Sequence, residues 1–484
     1  MSPSFFTQAR AVRAPHEGPP NESVVGVQVA LLSRVRSACR WISLLLLLAM
    51  SMTSTWAWTA EPAGGRTNGM SRPVPSAVTA FVGAQVLMPG SMTYAGATVL
   101  VQDDKIIGVG TALPIPPGAV TVELQGKRLL PGFIEPFSQL GLVEIPAESP
   151  SNDQSVGQPI FQPAFEVGDG FNPRSVHIPI ARSGGVTSVV VTATDGIMAG
   201  QSGLAVLRGQ ASAGLLTEGA LVRPRVAQHW RLSADALDGP FGSRSVFWNE
   251  LREILEDARD YARRKPDFES NRTRAYRVGR LQLEALQPVL RGEQPVVVSV
   301  QRASDIEAVL RLADQYGLKV ILAGASEAWM LREVLAQRQI PVILDTLANL
   351  PDNFDELRIR TDLATLLSQV GVPVMFSTFS AHNARLLWQR AGMAVRYGMS
   401  DEAALRGLTE VPADAFGLSD RGRIRVGAQA DLVVWQGDPL ELGSRVEQLY
   451  VGGKPVSLQS RQTLLRDRYR QVPPALPATR GDGR

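Results

Sequence analysis

The sequence predicts an α/β fold: a (β/α)8 barrel of the TIM type, with a small β domain beside it. Three observations predict it. Between residues 131 and 416, apolar β-branched runs alternate with stretches of helical periodicity. The apolar runs, such as 186–192, bury both faces, as strands of a parallel sheet do. Short strands separated by hairpin-type turns precede and follow that region.

Size and composition agree. At 484 residues the chain has room for one large domain of roughly 250 residues and a smaller one. A hydrophobic content of 44% with 20% charged residues is a globular balance that argues against disorder. The net charge of +3 comes from arginines scattered among acids, which gives nucleic-acid binding no support.

The first 60 residues form a leader. Arg34, Arg36 and Arg40 precede an apolar stretch at 41–50, and Thr55-Trp56-Ala57 suits a signal peptidase. The expectation is export to the periplasm; the alternative is an uncleaved inner-membrane anchor, although the stretch falls short of the ~20 residues a spanning helix needs. Cys39, the only cysteine, lies ahead of the apolar stretch. A processed chain would then have no disulfide, thiolate ligand or cysteine nucleophile.

Residues 61–77 read as a Pro-, Gly- and Ser-rich linker. The first part of the small domain, 78–130, carries strands at 80–87, 97–101, 105–109 and 120–124, with Asp103-Asp104 at hairpin spacing. The barrel, 131–416, opens on a strand carrying Glu135, Phe137 and Gln139. Strands follow at 185–192, 224–229, 295–300, 318–322, 340–344 and 372–377, seven in all, with one unplaced. Helices fall at 248–264, 305–316, 327–337, 383–397 and 401–408. The small domain resumes at 417–456 with strands at 422–424, 430–435 and 446–451, and 457–484 is a tail.

Pro131-Gly132-Phe133-Ile134-Glu135, Asp195-Gly196-Ile197-Met198-Ala199-Gly200-Gln201-Ser202, Arg302-Ala303-Ser304-Asp305-Ile306, His382-Asn383-Ala384-Arg385 and Gly427-Ala428-Gln429-Ala430-Asp431-Leu432-Val433-Val434-Trp435 together resemble the amidohydrolase superfamily. The likeness is greatest to its imidazolonepropionase-like, exported bacterial branch. It implies a composite β-sandwich built from both chain ends, and hydrolysis of non-peptide carbon–nitrogen bonds. The family uses zinc, which lowers the pKa of a bound water toward ~7 and polarises the carbonyl. Its ligands are a His-x-His pair after strand 1, a His on each of strands 5 and 6, and an Asp after strand 8, with a carboxylated Lys or a Glu in some members.

In this chain the corresponding positions are Phe137 and Gln139, Ser299, and Ala323, and no carboxylate follows strand 8. A tight zinc site is worth roughly 10–16 kcal/mol, summed over several deprotonated ligands. Neutral oxygens and hydrocarbon do not supply that, so the expectation is no cofactor.

Glu135, Phe137, Gln139, His229, Ser299, Gln301, Ser380, His382 and Arg385 are the candidate pocket residues. No catalytic residue is assigned. A Ser380–His382 pair oriented by Glu135 or Asp345 is a weaker possibility, and no Gly-x-Ser-x-Gly elbow accompanies it. The predicted function is a catalytically silent homologue that binds a small polar molecule, or pairs as a homo- or hetero-oligomer with an active paralogue. The alternative is an active hydrolase of amide, cyclic amide or dipeptide-like substrates with a relocated or metal-free site.

Overall fold

Two kinds of strand sort into two large sheets. In the computed structural model, residues 77–88, 93–155, 161–212, 215–232 and 241–470 are described. The leader, the linker up to 76 and the tail beyond 470 lie outside them.

The small sheet starts with β1 (Val78–Val86), β2 (Tyr94–Gln102), β3 (Lys105–Gly110), β4 (Val120–Glu123) and β5 (Arg128–Pro131). The barrel sheet holds β6 (Phe133–Ser138), β7 (Val186–Val191) and β8 (Met198–Val206). The hairpin β9 (Gln210–Ser212) and β10 (Leu215–Thr217) then leads to β11 (Ala220–Arg231). The barrel continues with β12 (Val296–Val300), β13 (Val320–Gly324), β14 (Val342–Leu344) and β15 (Val374–Phe376). The chain returns to the small sheet with β16 (Leu432–Gln436), β17 (Arg445–Val451) and β18 (Lys454–Val456).

The small sheet runs β18-β17-β16-β5-β1-β2-β3 with β4 on β1, so the strands pair into a single eight-stranded sheet. β5 and β16 pair antiparallel, so early and late strands share this one sheet. Asp103 turns the β2–β3 hairpin with a φ of 55°. Residues 422–424, read as a strand, form none; there Arg423 instead pairs with Asp414 at 2.7 Å. Two details explain the recurring motifs. A Cβ at Gly132 would stand 2.1 Å from Thr187 Oγ1, so only glycine lets β6 pass β7. Asp431 is buried, is paired with Arg421 and accepts from Gly452 N at 2.8 Å, which ties the β17–β18 turn to β16.

The barrel sheet runs β15-β14-β13-β12-β11-β8-β7-β6. Alternation sets its two faces. Val190, Leu204, Ala227, Val297, Ile321, Ile343 and Met375 fill the inside. Val189, Val191, Val296, Val298, Leu322 and Val374 pack outward with the helices.

The uniform (β/α)8 expectation needs one correction. The strand that sequence could not place is β8, and it runs antiparallel to both β7 and β11, without crossover helices. Its sequence, Met-Ala-Gly-Gln-Ser-Gly-Leu-Ala-Val, is poor in β-formers yet wholly buried, so tertiary packing makes it a strand. Gly200 has φ 109°, and a Cβ there would lie 2.5 Å from Phe165 O.

The helices are α1 (His177–Arg182), α2 (Arg244–Glu269), α3 (Arg280–Ala285), α4 (Gln287–Leu290), α5 (Ala303–Tyr316), α6 (Arg332–Gln337), α7 (Leu363–Gln369), α8 (Leu387–Arg396), α9 (Asp401–Leu408), α10 (Glu410–Ala415) and α11 (Arg461–Arg470). α5 buries Ile306, Val309, Leu310 and Ala313 as its periodicity predicts, each large side chain contributing about 1.5–3 kcal/mol, and ends on Gly317 at φ 70°. The helix expected over 327–337 is a short 3-10 turn, Ala328–Leu331, running into α6; 383–397 divides likewise. Part of the expected tail is α11. No described helix is long and apolar enough to cross a membrane.

Candidate functional site

The C-terminal ends of the parallel strands meet at the barrel mouth, where a parallel barrel concentrates its functional groups. There β6 and β15, the two ends of the sheet path, have no ladder between them. Side chains bridge the seam instead. Ser377 Oγ donates to Phe137 O at 2.8 Å, Ser138 Oγ to Ser380 O at 3.2 Å, and Thr378 donates from N at 3.2 Å and Oγ1 at 3.0 Å to Glu135 Oε2. Glu135 is fully buried, and its other oxygen accepts from Phe137 N at 3.4 Å. Burial pushes its carboxyl up to about 7, against the opposing effect of hydrogen bonds from Ser377, Thr378 and Phe137.

Phe137 lies beneath the mouth with its ring 5.1 Å from His229 and 5.0 Å from Phe379. His229 is buried on β11, with no hydrogen-bond partner for either ring nitrogen among the described residues. Burial pushes its imidazole down to about 3, so it is neutral at physiological pH. Phe379 takes φ 48°, a conformation costing a non-glycine residue about 1 kcal/mol or more. Its amide donates to Ser377 Oγ at 2.9 Å, and its ring faces the open side of the mouth.

That side is a cavity of about 270 Å³ over β12, β13 and β14, with Ser299, Gln301, Ala323 and Phe379 on its wall. Gln301 Oε1 accepts from Ser326 Oγ at 2.8 Å and N at 3.2 Å, which leaves its amide nitrogen to donate elsewhere. The opposite wall is the segment 345–361, with Asp345, Asn349, Asp352, Glu356 and Arg360. Arg244 of α2 anchors that segment by donating to Asp355 at 2.6 Å while holding Asp305 of α5 at 3.1 Å.

The structure therefore divides the predicted set. Ser299 and Gln301 share the cavity with Ala323, while Glu135, Phe137 and His229 are packed below it. Gln139 is buried outside the cavity, and its side-chain nitrogen has no partner among the described residues. Ser380 and His382 stand at the rim, 3.2 Å apart, with His382 exposed. Arg385 is exposed and does not line the cavity.

Among the described residues no carboxylate completes a triad. Glu135 is held by Thr378, and Asp345 by Arg390 at 3.1 and 3.2 Å. The wall of 346–361 escaped the sequence reading; its only signal was its position directly after a barrel strand.

The profile of the amidohydrolase family matches residues 267–457. The chain is 27% identical over 386 residues to amidohydrolase tasK of Hapsidospora irregularis, covering 73% of this chain and 39% of that protein. It is 37% identical over 89 residues to imidazolonepropionase of Alteromonas mediterranea, 18% of this chain and 20% of that one. The chain thus spans well under half the length of these curated relatives. Among solved structures, an amidohydrolase from Thermotoga maritima superimposes with a TM-score of 0.70 at 26% identity, covering 78% of this chain and 99% of that one.

The expectation of no cofactor is corrected by the family match, since zinc is what that family implies. The side chains here do not match that implication. Among the described residues no three His, Cys, Asp or Glu side chains are grouped to hold an ion.

Proposed function

Because this chain belongs to the amidohydrolase superfamily, whose members hydrolyse carbon–nitrogen bonds, we propose that its barrel mouth binds a small polar ligand bearing such a bond and leaves the bond intact. The observation that supports this reading is the chemistry of the cavity. Ser299 and the free amide nitrogen of Gln301 offer neutral hydrogen bonds to a carbonyl, and the Phe379 ring offers an apolar face. Of the described carboxylates on the wall, Asp345 is engaged by Arg390 and Glu356 accepts from Asp352 N at 3.2 Å, and no described carboxylate is hydrogen-bonded to the Ser380–His382 pair. The reading extends to pairing with an active relative, for which co-purification from native extracts is the test. It also places the chain in the periplasm, on the basic-apolar-small order of residues 34–57.

The second reading is an active hydrolase of amide or dipeptide-like substrates, and the family match over 267–457 favours it. One experiment separates them. Protein produced in zinc-replete medium is screened against N-acyl amino acids, dipeptides and cyclic amides for a rise in Tm and for product. Silent binding gives a saturable Tm rise without product. Product that disappears on chelation establishes the second reading and refutes the first.

A further inference from the structure

Arg182 is 2% exposed, yet only its Nη2 has a partner, Glu218 at 2.6 Å. Nε and Nη1 find no acceptor among the described residues. Its guanidinium stands behind Gly209, where a Cβ would lie 3.1 Å from Nη1 and 3.6 Å from Val456 Cγ1. Gly209 and Val456 are both walls of a second cavity, of about 220 Å³, between the small sheet and the barrel. It lies at the end of the barrel away from the mouth, because Val206 on its wall ends the antiparallel strand β8. Arg182 is not itself on the cavity wall; Gly209 alone stands between its Nη1 and that wall.

Arg208 and Lys454 line the same cavity, and neither has a carboxylate partner among the described residues. Nε of Arg208 is buried and unpartnered as well. Of the carboxylates on the wall, Asp431 is satisfied by Arg421 and Gly452 N, and Asp104 accepts from Gln429 at 3.2 Å. Asp103 and Asp104 are left without a cationic partner among the described residues, as are Arg208 and Lys454, while the idle N–H groups of Arg182 lie behind Gly209.

We propose that this cavity is a binding site for a small oxyanion, a phosphate or a carboxylate, remote from the barrel mouth. Guanidinium groups present paired N–H donors that match such anions, and burial strengthens each bond by excluding water. Ligation would also satisfy the buried Nε of Arg208, whose isolation otherwise costs stability.

The test uses the full chain at constant ionic strength, titrated with inorganic phosphate, acetate or succinate, and with chloride as control. Melting temperature and calorimetric binding are read together. A saturable response to an oxyanion but not to chloride is expected, weakened about tenfold or more by Arg208→Gln and by Gly209→Val, whose side chain would fill the space before Arg182. Gln301→Ala, at the mouth, should leave it unchanged. A stronger response to phosphate than to the carboxylates assigns a phosphate ligand, and the reverse order a carboxylate. Absence of a saturable response, or full-strength binding by folded Arg208→Gln and Gly209→Val proteins, overturns the proposal.

Discussion

Replacing Glu135 with Gln isolates the proton that the barrel seam holds. Glu135 is fully buried with its carboxyl raised from 4.5 to about 7, so the folded chain binds a proton that the unfolded chain releases between those values. Its contribution to stability is therefore complete below pH 4.5 and lost as pH rises through about 7, a change of about 3 kcal/mol. His229 runs the other way. With its imidazole lowered from 6.5 to about 3, its contribution is complete above 6.5 and lost as pH falls toward 3. Between pH 4.5 and 6.5 the two slopes oppose each other, and the wild-type profile is nearly flat on their account. Glu135→Gln keeps the shape and an acceptor for Thr378 but cannot ionise. Its stability relative to wild type should climb by about 3 kcal/mol between pH 4.5 and 8. Urea unfolding followed by tryptophan fluorescence, for both proteins across that range, reads the difference directly. Parallel profiles would show that the carboxyl is not held protonated at neutral pH, and the account of the seam would fail.

Substituting His229 with Leu removes two unpartnered polar nitrogens and should stabilise the chain by about 1–2 kcal/mol above pH 6.5, read as a higher urea midpoint. A large loss there would reveal a hydrogen bond that the ring depends on. Gly132→Ala drives a methyl into Thr187 and should cost about 3 kcal/mol or more, partly recovered by Thr187→Gly in the same chain; equal costs with and without the second change would refute the contact. Asp431→Asn leaves Arg421 only the looser contact with Asp420 at 3.8 Å and should cost about 3 kcal/mol by the same measurement, well above a surface ion pair.

Much of the fold was legible because period-2 and period-3.6 patterns are local. The apolar runs of β7, β12 and β13, and the stripe Ile306, Val309, Leu310 and Ala313, are facts of spacing alone. β8 was not legible. Its glycines and alanines carry no strand signal, and only the walls on either side make that segment extend. At the site, the positions reached by counting from strand 1, 5 and 6 motifs fell at the mouth or directly under it: Phe137, Ser299 and Ala323. The opposite wall could not be counted to, because Asp352 and Glu356 belong to an irregular segment whose place is fixed by Arg244, far away in sequence. Arg385 was expected on the strength of its neighbours, but a short 3-10 turn at Ala384–Leu386 leaves it in solvent.

The pairing of β5 with β16 brings Leu129 opposite Val434, so the small sheet cannot be finished until about 300 residues beyond β5 have been made. A nascent chain carrying only the first half has an edge at β5 with donors and acceptors facing water. The barrel's first strand follows β5 directly, through Gly132, which is itself fastened to Asp431 O at 2.8 Å. The first barrel strand is therefore locked only after β16 has been made. Shortening the chain by removing β16 to β18 would unfasten its beginning as surely as its end.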